Sequence, residues 1–237
     1  MNRDFDKPTT KLNLYGDTLV RTQAGFGSDI ASQRLDDLDQ KTLDHIRLLS
    51  KSHPNPRVLE IGCGLGGLTI AMAQAGAKVI AVDRENYTEV ISDKARRSQV
   101  GEQIKFQQAS FEKLPKFSEA PFAIMVSQRM IHYLPFERTV KAIRKARPQL
   151  NADALLFISA AGLDSELGQN YPHKNVDVQN RFTPLAEDMS KKHHICGDVC
   201  LYREEDMRQL LIQSGFEPVK IFRSAFGNIK AIAQNKS

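Results

Sequence analysis

The sequence predicts an α/β fold with helices on both faces of a mostly parallel sheet. Two observations lead there. Short strand-like runs lie over residues 58–61, 78–82, 104–107, 122–127 and 154–159, several of them continuously apolar, as strands buried on both faces are. Stretches of helical spacing lie between most of them, so strand and helix alternate as in βαβ units. Crossovers in such sheets are right-handed. Ligands gather at the carboxyl ends of the strands, near the point where strand order reverses. The turns after residues 61, 82, 107 and 127 are therefore expected around one cleft.

Residues 1–28 are polar and glycine-punctuated, with Tyr15 and Phe26, and residues 1–30 read as an N-terminal cap. Over 30–51, Ile30, Leu35, Leu38, Leu43, Ile46 and Leu49 fall near helical spacing, and Pro54 and Pro56 close that helix. A helix over 66–75 follows the first strand and stops at Gly76. Helices at 87–99 and 137–147 follow the second and fourth strands. Residues 161–201 break the rhythm: they are polar and carry Pro172, Pro184, His173, His193, His194, Cys196 and Cys200. A connection of that length in a compact domain is usually functional, and it reads as a lid insertion. A helix at 204–214 ends at Gly215. Strands at 216–223 and 226–233 close the chain, and Gly227 and Asn228 mark a bulge or turn within the last one. The chain 1–237 is thus one domain with a cap and a lid.

The composition, 41% hydrophobic and 26% charged over 237 residues, is that of an ordinary globular domain. No run approaches 18 continuous apolar residues, so no transmembrane helix and no membrane partner are expected. The polar N-terminus lacks the apolar region of a secretory signal. Three sparse cysteines, Cys63, Cys196 and Cys200, argue for reduced thiols and a cytoplasmic location. The net charge of +5 leaves nucleic acid open as a partner without favouring it. Arg138, Lys141, Arg144, Lys145 and Arg147 read as the outer face of a helix whose Val140 and Ile143 turn inward. The His/Cys spacing in the insertion matches no strong zinc pattern, and no metal is expected.

The stretch VLEIGCGLGG, residues 58–67, carries the chemistry. Gly62, Gly64 and Gly67 spell the dinucleotide pattern G-x-G-x-x-G. Glu60 argues against a pyrophosphate, which its carboxylate would repel, and suits a ligand end carrying an ammonium. Asp83, 21 residues after Gly62, suits a ribose diol.

Residues 60–66, EIGCGLG, resemble the E/D-x-G-x-G-x-G signature of class I S-adenosylmethionine-dependent methyltransferases, and Asp83 resembles their second acidic motif. SQRMIHYL, after the fourth strand, is similar to the segment that often ends in His in their small-molecule branch. Ser214-Gly215-Phe216 resembles the opening of their final strand pair. The resemblance spans roughly residues 55–160 and 200–233 and implies a Rossmann-like three-layer αβα sandwich. Its sheet would have seven mostly parallel strands with an antiparallel last strand. It implies S-adenosylmethionine as cofactor and S-adenosylhomocysteine as product. Contacts would come from Glu60, Gly62, Cys63, Gly64, Gly66, Asp83, Arg84, Ser110, Phe111 and Ser127. The methionine end would lie over residues 62–66 and the adenine between Arg84 and Phe111. The sequence departs from the family in three places. Ser110 stands where an adenine-binding Asp is common, Phe122-Ala123 replaces Phe-Asp, and RPQLNADA replaces a Lys-Pro-Gly-Gly turn.

On the acceptor side, His132 is the candidate general base, because an unperturbed histidine titrates near pH 6.5. Tyr15, Gln128, Arg129 and Tyr133 are candidate substrate contacts, and an arginine there would suit an acidic group on the acceptor. The expectation is methyl transfer to O, N or C of a small-molecule acceptor. The alternatives are an RNA or protein methyltransferase, a noncatalytic binding module on the same fold and, last, a dehydrogenase. The oligomeric state is not legible.

Overall fold

The structure, a computed structural model, describes residues 34–236 and, before them, residues 12, 13, 16 and 27. Five strands come first: β1 (Arg57–Ile61), β2 (Lys78–Asp83), β3 (Ile104–Gln108), β4 (Phe122–Ser127) and β5 (Leu150–Ala160). Two-residue strands β6 (Thr183–Pro184) and β7 (Asp198–Val199) pair with each other, and β8 (Phe216–Arg223) and β9 (Ile229–Asn235) end the chain. The main sheet has seven strands in the order β3-β2-β1-β4-β5-β9-β8. β1 to β5 pair in parallel, and β9 runs antiparallel to both β5 and β8. The last strand is thus antiparallel, as the resemblance implied, and β8 forms the edge. Strand order reverses between β1 and β4, where the cleft was expected.

Side chains alternate across the sheet because the strand period is two. Val58, Val79, Ala81, Ile124 and Val126 face α1 (Asp37–Ser50), α2 (Gly67–Gln74) and α3 (Thr88–Arg97). Leu59, Ile61, Ile80, Val82 and Met125 face α4 (Phe136–Ala146) on the other side. α5 (Glu187–His193) belongs to the insertion, and α6 (Glu204–Gln213) packs beside α4. The three-layer sandwich follows directly from that alternation.

Three boundaries differ from the sequence reading by three residues or more. α1 starts at Asp37 rather than 30, because the Asp36 carboxylate accepts the Leu38 and Asp39 N–H groups and caps the helix there. β5 starts at Leu150, four residues early. The last strand starts at Ile229 rather than 226, because Ser224–Asn228 closes as a turn with Gly227 at φ +76°. Tyr15 and most of residues 1–30 lie outside the described residues.

Residues 161–201 carry their own apolar cluster, including Leu163, Tyr171, Leu185, Met189 and Leu201. Arg181, 1% exposed, fastens it. Its Nε donates to the Val176 carbonyl at 2.8 Å, and Nη1 reaches the Leu201 carbonyl at 2.8 Å and Asp206 on α6 at 2.5 Å.

Candidate functional site

The glycine turn is bound to the end of β2. The N–H groups of Gly62 and Cys63 both donate to the Val82 carbonyl, at 2.8 and 3.1 Å. Gly62, Gly64 and Gly66 have φ of +76°, +51° and +78°, all left-handed. A Cβ on Gly62 would stand 2.5 Å from Met130 Cγ, so the turn after β4 packs directly on the glycine loop. A Cβ on Gly64 would meet none of the described residues within 4 Å, so among them the space over the loop is open. The Gly64 N–H donates to Asp83 Oδ2 at 3.0 Å, and Glu85 N–H donates to Oδ1 at 3.0 Å. The acid at the end of β2 is thus oriented by the backbone before any ligand arrives. Burial raises its pKa, against the pull of those two N–H groups.

Glu60 is 4% exposed and accepts the Thr69 hydroxyl at 2.5 Å. Burial pushes its pKa up to about 8; the Thr69 bond opposes this, and Asp39 and Asp83 add to it. Asp39 is also buried, with its pKa raised to about 6 by burial first and by Asp36 second. A cationic group near these acids would favour their ionised forms.

At the end of β4, Ser127 is buried and its Oγ has no partner. Arg129 holds φ +52°, an uncommon value for a residue other than glycine. Ser159 of β5 holds this turn: its Oγ accepts the Arg129 N–H at 2.9 Å and donates to Gln128 Oε1 at 2.5 Å. Arg129 Nη1 lies 3.7 Å from Asp36, whose carboxylate also takes the buried Lys230 ammonium at 2.7 Å. Burial pushes the Asp36 pKa up, but the Lys230 bond and the Arg129 charge outweigh it and hold it low.

His132 is buried, and its Nδ1 faces the Ala161 N–H at 3.4 Å. Burial, helped by Arg129, lowers its pKa to about 3. The ring is therefore neutral, with its proton on Nε2. Tyr133 stacks at 4.2 Å from it, and burial raises the phenol's pKa. Gly27 lies against the Tyr133 hydroxyl and is bonded through its N–H to the His194 carbonyl at 3.1 Å.

The structure brings Glu60, Gly62, Gly64, Gly66, Asp83, Ser127, Gln128 and Arg129 to one end of the sheet. Cys63 is there too, buried, with its thiol aimed at the Gly64 carbonyl and its pKa pushed up. Arg84 is exposed and lies 3.5 Å from Glu85, and Ser110 precedes the turn Phe111–Lys113 without a side-chain bond to it. Phe111 departs from the expectation of an open stacking face: its ring is 5% exposed and sits in the core on the α4 side. Sequence reasoning missed Thr69, Ser159, Asp36, Asp39 and Lys230. Two signals were available. Asp36-x-x-Asp39 is a helix-capping pattern, and Lys230 is a lone cation in an apolar strand, which needs a buried partner.

The cations of α4 are largely committed. Arg138 is paired with Glu112, Arg144 donates to the Gln213 carbonyl, Lys145 to the Glu112 carbonyl and Arg147 to Asn235. Among the described residues, no group of three or more His, Cys, Asp or Glu side chains is arranged to hold a metal ion. No described helix is long and apolar enough to cross a membrane.

Residues 58–153 match the family model described as a methyltransferase domain. A ubiquinone biosynthesis O-methyltransferase of Nitrosococcus oceani is 29% identical over 108 residues, 46% of this chain and 45% of that protein. A sterol 4-C-methyltransferase of Caenorhabditis elegans is 26% identical over 115 residues, 48% of this chain and 34% of that protein. This chain spans about half the length of the curated relatives it matches. Among solved structures, an S-adenosylmethionine-dependent methyltransferase from Clostridium acetobutylicum superposes with a TM-score of 0.63 at 12% identity, covering 88% of this chain and 95% of that one. The 1,6-didemethyltoxoflavin-N1-methyltransferase of Burkholderia thailandensis, solved with its acceptor and S-adenosylhomocysteine, gives 0.61 at 18% identity, covering 85% and 79%.

Proposed function

We propose that this chain, whose residues 58–153 match a methyltransferase domain, is a class I S-adenosylmethionine-dependent methyltransferase that transfers a methyl group to O, N or C of a small-molecule acceptor. One observation carries the reading: the Asp83 carboxylate is fixed by the Gly64 N–H across a left-handed glycine loop with open space above it. Asp83 keeps lone pairs to accept the two hydroxyls of a ribose. The Gly62–Gly66 turn lets a ligand approach the backbone closely. Glu60 supplies a carboxylate for an ammonium beside the loop. Arg84 and Ser110 border the adenine position, and the ring of Phe111 supports that turn from the core. Cys63 and Ser127 line the floor.

S-adenosylmethionine supplies an activated methyl group on a sulfonium, so the chain's task is positioning and desolvation. Asp83 and the Gly62–Gly66 turn would hold the cofactor so that its methyl group meets the acceptor's lone pair for in-line displacement, with its sulfur as the leaving group. His132 was the candidate base. Its buried, neutral ring, with Nδ1 on a backbone N–H, supports a donor at Nε2 that orients the acceptor instead. Tyr133 and Tyr15 are proposed acceptor contacts. A small-molecule acceptor fits the relatives' named substrates, and the committed cations of α4 weigh against a nucleic-acid face.

The test is label transfer from methyl-tritiated S-adenosylmethionine in a cell extract separated into small-molecule, RNA and protein fractions. Label in the small-molecule fraction is expected. Label confined to RNA or protein would overturn the acceptor class.

A further inference from the structure

Among the described residues, two adjacent donors at the end of β4 have no partner. Gln128 Nε2 and Arg129 Nη2 are both buried and unbonded. Burying an N–H group without a hydrogen bond costs about 1–3 kcal/mol, so two in succession, on a left-handed turn at the sheet's switch point, work against stability and point to a ligand. The orientation of the Gln128 amide is fixed by its neighbours. Ser159 Oγ accepts the Arg129 N–H, so its own proton must go outward, to Gln128 Oε1. That leaves Nε2 as the free end. The same hydroxyl holds both residues and gives Arg129 its left-handed backbone.

The nearby acids do not use these donors. Asp36 is engaged by Lys230 and by the N–H groups of Leu38 and Asp39, and it meets Arg129 only through Nη1, at 3.7 Å. Asp37 is held by Lys230, and Asp39 Oδ2 accepts the Asp36 N–H while its Oδ1 is bonded to neither donor. Arg129 is thus anchored at one nitrogen and open at the other. The next residue, Met130, packs on Gly62, so the turn that carries both residues adjoins the glycine loop.

We propose that Gln128 and Arg129 form a subsite for a carboxylate carried by the methyl acceptor, with Arg129 as the specificity-determining residue and Ser159 as a positioning residue. This rests on the methyltransferase reading. A guanidinium and an amide side by side offer two N–H donors and no acceptor, the complement of a carboxylate. Such a site rejects a neutral analogue, because the analogue leaves the buried donors unpaired. The methionine carboxylate of the cofactor offers the same chemistry, so the test separates the two sources.

Calorimetry with S-adenosylhomocysteine comes first, on wild type and Arg129→Met. Affinity within twofold is expected. A tenfold loss that spares methylthioadenosine, which lacks the amino-acid end, would assign the subsite to the cofactor and overturn the proposal. Absence of binding to wild type would instead sink the methyltransferase reading itself. A panel of aromatic hydroxy acids is then compared with their methyl esters by titration in saturating S-adenosylhomocysteine. At least one acid should bind wild type tenfold or more tighter than its ester. Arg129→Met and Gln128→Leu should erase that preference, and Arg129→Lys should restore part of it in place of Met. Ser159→Ala should weaken acid binding while ester binding stays level. Acids and esters binding alike to wild type, or a preference that survives Arg129→Met, would overturn the proposal. Gln128→Leu keeps the test open should Arg129→Met fail to fold.

Discussion

Arg181, fully buried, and Arg129, half-buried, stand in opposite situations. Arg181 in the insertion is 1% exposed and spends its donors on two carbonyls and the Asp206 carboxylate, which in turn caps α6 by accepting the Arg203 N–H. Arg129 at the cleft holds a left-handed backbone, a loose 3.7 Å approach to Asp36 and an unpaired Nη2. The first is a fastener, because its donors go to two carbonyls and a carboxylate of the chain itself. The second is arranged for something absent from the chain itself. Among the described residues, three consecutive ones at the end of β4, Ser127, Gln128 and Arg129, each carry an unmatched buried atom, and that clustering points to the site.

The contrast is easiest to break at the fastener. Arg181→Met leaves Asp206 half-satisfied in the interior and is expected to cost about 3–5 kcal/mol in chemical denaturation. Arg129→Met is expected to cost less than about 1 kcal/mol, since its removal leaves Asp36 on Lys230. Equal losses would erase the distinction.

Next in size is Asp83→Ala. Two hydroxyl hydrogen bonds to a charged carboxylate at about 1.5–3 kcal/mol predict roughly a 10- to 100-fold loss of S-adenosylhomocysteine affinity by calorimetry. Unchanged affinity would remove the ribose assignment.

Gly62→Ala probes how tightly the two turns are packed. The left-handed backbone alone costs about 1–2 kcal/mol, and the Met130 contact adds to it. Met130→Ala in the same chain should return part of the loss. A strictly additive double variant would show that the turns are uncoupled.

The smallest effect is a slope. The Glu60 pKa is raised in the folded protein to about 8, so the native state holds that proton more tightly than the unfolded chain. Its contribution is present at low pH and is lost as pH rises from the ordinary glutamate range through about 8. Asp39, raised to about 6, acts in the same sense. The slope from one group is at most about 1.4 kcal/mol per pH unit. Glu60→Gln should flatten the decline between pH 5 and 8, leaving the share that Asp39 contributes. An unchanged profile would mean Glu60 ionises normally.

The fold was largely legible because its signals are local. Apolar runs such as KVIAVD have the composition of doubly covered strands, and the glycines that require left-handed φ stand where β1 turns into α2. Glu60 and Asp83 were legible because each ends or nears the end of a strand. Phe111 was misread because an aromatic after β3 fits a stacking role and a core role equally, and only packing on the α4 side decides. The Ser159–Gln128–Arg129 turn and the Lys230–Asp36 pair join residues far apart in the chain, which no local pattern encodes. The same holds for the insertion, whose polar composition gave no hint of the Arg181 fastening.

The most direct measurement is a thermal-shift and calorimetric comparison of S-adenosylhomocysteine with NAD on the unmodified chain. A ligand at 100 times its dissociation constant adds about 2.7 kcal/mol, which at about 2–4 °C per kcal/mol is a rise of roughly 5–11 °C. The account predicts that rise with S-adenosylhomocysteine and none with NAD. A rise with NAD, or with neither, would contradict it.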